Sequence, residues 1–514
     1  MSHTPAPRTL VDIFGERAAN DTGRSALTVD GRLPLTLAEW ERCSLSVAHG
    51  LDAMGVGRGD RIAILADGAD WVDYAVATLA VYRVGATAVA MTPDLGYAEI
   101  GRRLAECDVT GLVHTAMTSP PAVRCWVESV AALDNGGTAE LGTGPEPTDV
   151  AEILYTSGTT GTPKPIAVPH ANLTHGRDGR GDLFGGIDSI LCAVPAATNA
   201  GHSALMVAIT TGSTAHVLSH VTAAESAAVI ERERIQQAIL TPVVAKQLVA
   251  QGLHLRHDLS SVKTLMFGSS AVPPAAMSEL SRSLPRAQIM VGYGSTESAP
   301  GFCRRMLPSW EEHGDPDHYR GGGLHCLGGP GGGTEVRVAG PDGESVPDGR
   351  PGEICLRSEA PTRSYLVPQA GPPTFGADGW VRMGDIGLVG DDGQLYFIDR
   401  APDVIPTAAG PQSSVRLETS LLWHPDVVDV AVVAMGTEPD VEVVAVVEPR
   451  DSDVDHERLE AELTATLREA LAEVAGAAAP PARAVVDSLP RGPLGKVRKR
   501  LLRTRYAPAS VGTV

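Results

Sequence analysis

Leu154-Tyr-Thr-Ser-Gly-Thr-Thr-Gly-Thr-Pro-Lys164 sets a run of hydroxyl side chains and two glycines directly behind a short strand-like segment, and closes on a lysine. Such a loop can wrap a polyphosphate. Glycines let backbone N–H groups approach, the hydroxyls of Thr156, Ser157, Thr159 and Thr160 donate, and Lys164 supplies the opposite charge. The spacing G-x-x-x-x-G-K-[ST] of the P-loop is absent. A Ser/Thr/Gly surface linker would share the composition, but the strand in front and the ordered pattern favour the phosphate loop.

Outward from this stretch, helical and strand-like segments alternate. Leu37 to Met54 carries apolar residues at helical spacing, Arg61–Leu65 reads as a short buried strand, and Trp71 to Val84 returns to helix with Gly85 as a stop. Beyond Lys164, buried strands are expected at Ser189–Val194, Thr214–Leu218, Ala238–Thr241, Thr264–Phe267 and Gln288–Gly292. Strands alternating with helices imply parallel sheets between helix layers. Thr334 to Arg357 alternates Val, Arg and Glu and resembles an antiparallel β unit. A break falls at Asp399-Arg400-Ala401-Pro402. After it come a helix, two strands, and a helix with Leu459, Leu463, Leu467 and Leu471 on one face, then a last strand and a basic tail. The expected fold class is α/β: a large N-terminal body of parallel-rich αβ layers plus a small β unit, residues 1–399, followed by a small α+β C-terminal domain, residues 400–514.

Composition bounds the function. With 514 residues, a length of about 150 per domain suggests roughly three or four units. The 43% hydrophobic content supplies a large core and excludes wholesale disorder. Forty-two Lys and Arg against 62 Asp and Glu give a net charge of −20, which argues against a nucleic-acid partner. The seven cysteines are scattered and never form a C-x-x-C pair, so neither a zinc site nor a disulfide framework is expected. No signal peptide is evident, and the most apolar window, Ala75 to Met91, is too short to span a membrane. The expectation is a cytoplasmic protein with no membrane span.

Five further motifs follow the loop in order: Gly268-Ser-Ser-Ala-Val-Pro273, Gly292-Tyr-Gly-Ser-Thr-Glu297, Gly379-Trp-Val-Arg-Met-Gly-Asp385, Asp399-Arg400 and Pro493-Leu-Gly-Lys496. Together the six resemble the acyl-adenylate-forming superfamily: acyl-CoA synthetases, aryl-acid–AMP ligases and peptide-synthetase adenylation domains. The resemblance implies an ATP-dependent ligase that joins a carboxylate to the α-phosphate of ATP and releases pyrophosphate. Residues 1–399 would then bind ATP and acid, and residues 400–514 would be mobile and carry the catalytic lysine. By the same resemblance, Thr156, Ser157, Gly158, Thr159, Thr160 and Lys164 hold phosphates, and Gly268, Ser269 and Ser270 contact adenine. Tyr293 stacks on the base, Thr296 bonds the α-phosphate, and Glu297 holds Mg²⁺, a hard cation that prefers oxygen ligands. Asp385 accepts the ribose hydroxyls, Arg400 supports ribose or phosphate, and Lys496 reaches the reacting carboxylate. Both reactants are anions, so charge neutralisation and positioning supply most of the rate. Read singly, Glu297 could be a solvated charge, Asp385 a turn cap, and Lys496 part of a basic tail; the motif order supports the site reading.

Val194-Pro-Ala-Ala-Thr-Asn-Ala-Gly-His202 resembles the aryl-acid ligases, where the asparagine lies beside the aromatic acid. Asn199 is therefore a substrate candidate, with His202 beside it, and the small residues Ala197, Gly292 and Gly294 leave room for a flat ring. Two departures concern the second step. Pro402 stands where the family hinge carries Asp or Lys, and proline fixes φ near −65° and lacks an N–H. Ile405-Pro406 then replaces isoleucine-lysine in the loop that lines the family's thiol tunnel. The expected acceptor is CoA or a phosphopantetheine carrier protein. The alternative is a non-thiol step: amide formation, or nitrite activation for diazotisation of an aryl amine. A non-catalytic nucleotide-binding regulator is a third reading, opposed by the presence of both Glu297 and Lys496.

Overall fold

The computed structural model describes residues 6–142, 144–156, 163–177, 186–268, 274–313, 326–367, 373–436, 440–476, 479–491 and 497–507. Ser157 to Thr162, Ser269, Ser270 and Lys496, all named above, lie outside the described residues. Val150–Thr156, Thr87–Met91, Arg61–Leu65, Gly111–His114 and Trp126–Ser129 run parallel, side by side, in a first sheet. Lys164–Pro169 and then Ser364–Tyr365 extend it antiparallel. Ile62 to Leu65 are buried without a break, as expected of a parallel strand covered on both faces.

A second sheet sets Ser25–Val29, Thr214–Val217, Ser189–Ala193, Gln237–Leu240, Thr264–Phe267 and Gln288–Tyr293 in parallel. Past Gln288–Tyr293 it turns antiparallel, through Cys303–Leu307, Cys326–Pro330, Leu395–Arg400, Val381–Val389, Gly352–Ser358 and Thr334–Ala339. The β unit expected at 334–357 is thus not a separate piece; it continues the edge of this sheet.

One layer of helices serves both sheets. Ile62 and Ile64 of the first and Ile190 and Val217 of the second belong to one buried cluster with Trp40, Trp71 and Leu205. The helix Trp71–Arg83 is apolar on nearly every side, the pattern of a helix with no solvent face. Trp71 Nε1 donates to Leu218 O at 3.1 Å, which ties it to the second sheet. Separate cores cover the outer faces, one around Ile100 and Leu104, the other around Val244, Leu248 and Leu280.

After Arg400 the chain builds a small unit with its own core. Glu442–Pro449 is its central strand, antiparallel to Val427–Met435 and parallel to Ala482–Val486. Its side chains alternate: Val443, Ala445 and Val447 pack with Leu459, Leu463, Leu467 and Leu471, while Val444 and Val446 pack with Leu502. The leucine stripe predicted for 459–471 is fully buried. The basic tail differs from expectation. Lys499–Tyr506 is a helix that covers the second face through Leu502, and Lys499 is paired with Glu418 at 2.6 Å. Its charge density hid a single apolar anchor.

Candidate active site

Ligands of open αβ sheets sit outside the carboxyl ends of the strands, and the candidate residues gather there in both sheets. Thr156 ends its strand, Gly268 follows Phe267, and Tyr293 ends the Gln288–Tyr293 strand. Asn199 opens the helix after Ser189–Ala193, with Thr198 as its N-cap accepting from Gly201 N at 3.0 Å. Gly201 is fixed by crowding, because a Cβ there would lie 2.3 Å from Pro195 O.

The segment after Tyr293 is locked by two serines. Ser295 N donates to Ser298 Oγ at 3.0 Å, and Ser298 N donates back to Ser295 Oγ at 3.2 Å, a reciprocal pair like a capping box. This holds Thr296 and Glu297 at the cleft. Asn199 Nδ2 donates to Thr296 Oγ1, so the acid-side and phosphate-side candidates are in direct contact. Glu297 Oε1 accepts from Tyr365 OH at 2.9 Å, and Lys164 Nζ lies 5.2 Å from the centre of the same tyrosine ring. Burial, then the Glu297 charge, pushes the Tyr365 phenol well above its ordinary value. Thr156 stands opposite Lys164 across the hairpin, its Oγ1 buried and without a hydrogen-bond partner among the described residues.

Tyr293, Asp385 and Arg400 form the second group. Tyr293 OH donates to Asp385 Oδ2 at 2.7 Å, and Arg400 Nε lies 2.9 Å from Asp385 Oδ1. Asp385 and Arg400 are direct cross-strand partners, so sheet register alone sets this pair. Burial, then the adjacent carboxylate, raises the Tyr293 phenol far above its usual range, so it stays a donor. Gly268 and Gly292 face each other, a Cβ on the first lying 3.6 Å from the carbonyl of the second. Gly294 is exposed. His202 turns inward instead: its Nδ1 lies 2.8 Å from the buried Glu152 Oε2, which also accepts from Tyr82 OH at 3.3 Å.

Three supporting residues carry no motif. Arg363 is buried; its Nη1 donates to Thr296 O at 2.8 Å and its Nε to Asn172 Oδ1 at 2.9 Å. Asn172 Nδ2 in turn donates to Ala299 O and Pro361 O. Burial lowers the Arg363 pKa to about 10, which leaves it a cation at neutral pH. Tyr365 is the third. Each stands alone in the sequence.

At the hinge, Asp399 and Arg400 close the strand Leu395–Arg400. Asp399 Oδ2 accepts from Ser414 N at 2.6 Å, which fastens the start of the small unit. Between them Ile405 and Gln412 exchange both backbone hydrogen bonds, at 2.9 and 2.8 Å, so the Pro406 loop is closed on itself.

Residues 14–366 match the AMP-binding enzymes and residues 416–496 the AMP-binding enzyme C-terminal domain; the chain belongs to the AMP-binding enzyme family and is an ATP-dependent ligase of it. It is 29% identical to 4-coumarate–CoA ligase 5 of Oryza sativa subsp. japonica, over 97% of this chain and 94% of that protein. It is 30% identical to a feruloyl-CoA synthase of Amycolatopsis sp, over 93% and 95%. Among solved structures, the amide bond synthetase McbA from Marinactinospora thermotolerans superposes with a TM-score of 0.77 at 26% identity, covering 97% of this chain and all of that one.

Proposed function

We propose that the chain activates a small aromatic carboxylic acid as its acyl-adenylate, releases pyrophosphate, and passes the acyl group to CoA or a carrier thiol. The observation that carries this is the Asn199–Thr296 hydrogen bond, which joins the acid-side candidate to the α-phosphate candidate. Tyr293, Asp385 and Arg400 would hold the nucleoside, Thr156, Lys164 and the Ser157–Thr160 loop the phosphates. Among the described residues no three of His, Cys, Asp and Glu stand together as metal ligands. A single carboxylate, Glu297, fits Mg²⁺, which keeps waters and takes phosphate oxygens rather than an all-protein cage. When bound, that ion supplies neutralisation of phosphate charge. In this reading residues 1–399 bind both substrates, and residues 400–514 move and bring Lys496 to them. We place the protein in the cytoplasm; among the described residues no helix is long and apolar enough to cross a membrane.

An amine acceptor is the second reading. It is favoured by Pro402 and Pro406, by the self-closed loop at 405–412, and by the likeness to an amide bond synthetase. The test incubates the protein with ATP, Mg²⁺ and a panel of benzoates and cinnamates, with CoA, amines or nitrite in turn, and follows AMP and pyrophosphate. AMP release that requires CoA supports the thiol reading; release that ignores CoA but needs an amine or nitrite rejects it. No AMP in any arm would reject the aromatic-acid reading.

A further inference from the structure

Beyond the Asp385–Arg400 pair at the hinge itself, one ion pair among the described residues joins the body to the unit that follows Arg400: Lys246 Nζ, on the helix Pro242–Ala250, lies 2.6 Å from Asp429 Oδ2 in the strand Val427–Met435. The side chains are 19% and 10% exposed, so solvent and salt screen them less than a surface pair. The same Asp429 oxygen lies 2.8 Å from Arg491 Nη2, and Arg491 also pairs with Glu448. Within the small domain this cluster sets two carboxylates against one guanidinium. Lys246, from the body, completes the balance. A buried carboxylate deprived of one cation is costly, so this arrangement of the two domains is favoured over one that separates Lys246 from Asp429.

The cluster sits at the root of the segment carrying Lys496. Arg491 and Val497 flank that segment, and their backbones pair as an antiparallel bridge. We propose that Lys246 is a positioning residue for adenylation: through Asp429 and Arg491 it holds the small domain, and the root of the Lys496 segment, against the body. The inference rests on the reading of Lys496 given above.

The test uses the full chain with Lys246→Ala, Lys246→Glu, Lys246→Arg, Asp429→Asn and the Lys246→Ala/Asp429→Asn double variant. The first readout is ATP–pyrophosphate exchange with 4-coumarate, or with whichever benzoate or cinnamate supports exchange in the parent. The second is the rate of limited proteolysis in the 401–413 linker. Lys246→Glu is expected to slow exchange by about five- to tenfold, the scale of one partly buried ion pair. It should speed linker cleavage and move the melting temperature by no more than about 2 °C. Lys246→Arg should keep the parent rate, and Lys246→Ala should add nothing in the Asp429→Asn background. Parent-like exchange and cleavage in Lys246→Glu would overturn the proposal, as would an undiminished Lys246→Ala effect in the double variant. Lys496→Ala runs alongside. If it retains exchange, the reading of Lys496 fails, and linker cleavage alone decides whether Lys246 holds the domain.

Discussion

Tyr293 and Asp385 stand 92 residues apart and share a 2.7 Å hydrogen bond from phenol to carboxylate. The bond fixes the ring of one nucleoside-side candidate with the carboxylate of another. Tyr293→Phe keeps the ring and removes the donor. The expected result is a loss of about 1 kcal/mol in stability and a rise of a few-fold in KM for ATP, with kcat little changed. Thermal melts and initial rates at varied ATP check both.

Under the proposed function Glu297 would hold the metal, and Tyr365 OH already donates to one of its oxygens. Glu297→Gln keeps the shape and removes the charge. The Mg²⁺ concentration giving half-maximal adenylation is expected to rise at least about tenfold, as for a lost charge-assisted contact. An unchanged Mg²⁺ dependence would remove Glu297 from the metal site.

Two buried histidines make stability depend on pH. Burial lowers His170 and His216 from 6.5 to about 4. Their folded values lie below the unfolded one, so the neutral rings contribute full stability above pH 6.5, and that is lost as pH falls toward 4. Each costs about 1.4 kcal/mol per pH unit through that window. Melts from pH 7.5 to 4.5 should show the fall. His216→Gln should show a shallower one, and the difference from the parent isolates this ring from other titrating groups.

Pro402→Asp installs the residue type that the family resemblance implies for the hinge. It is expected to leave ATP–pyrophosphate exchange within about twofold and to raise transfer to CoA relative to amines, since φ at that position becomes free. If neither half-reaction changes, the proline is not what sets the acceptor.

Much of the fold was legible because its signals are periodic. The leucines at 459, 463, 467 and 471 recur every four residues, and all four are buried. Ile62–Leu65 is an unbroken apolar run within the parallel strand Arg61–Leu65. The terminal helix was not legible, since Leu502 is a lone buried residue among arginines. At the site, motifs marked Tyr293, Thr296 and Asp385, but a motif names residues without their partners. Arg363 and Asn172 bond to the backbone of the Thr296–Ala299 segment, and a contact with a carbonyl leaves no trace in residue type. His202 was readable as a residue facing the acid; its observed partner, Glu152, is fifty positions away and sits mid-strand.

The helices Leu37–Ala53 and Trp71–Arg83 lie in the core common to both sheets. Neither sheet can then lose its packing without exposing apolar surface on the other, so the body should melt as one cooperative block. The small unit has a separate core and one covalent tether. Calorimetry should resolve it as its own transition. Exchanging it for a relative's would leave the packing of the body intact, so the two halves can be altered independently.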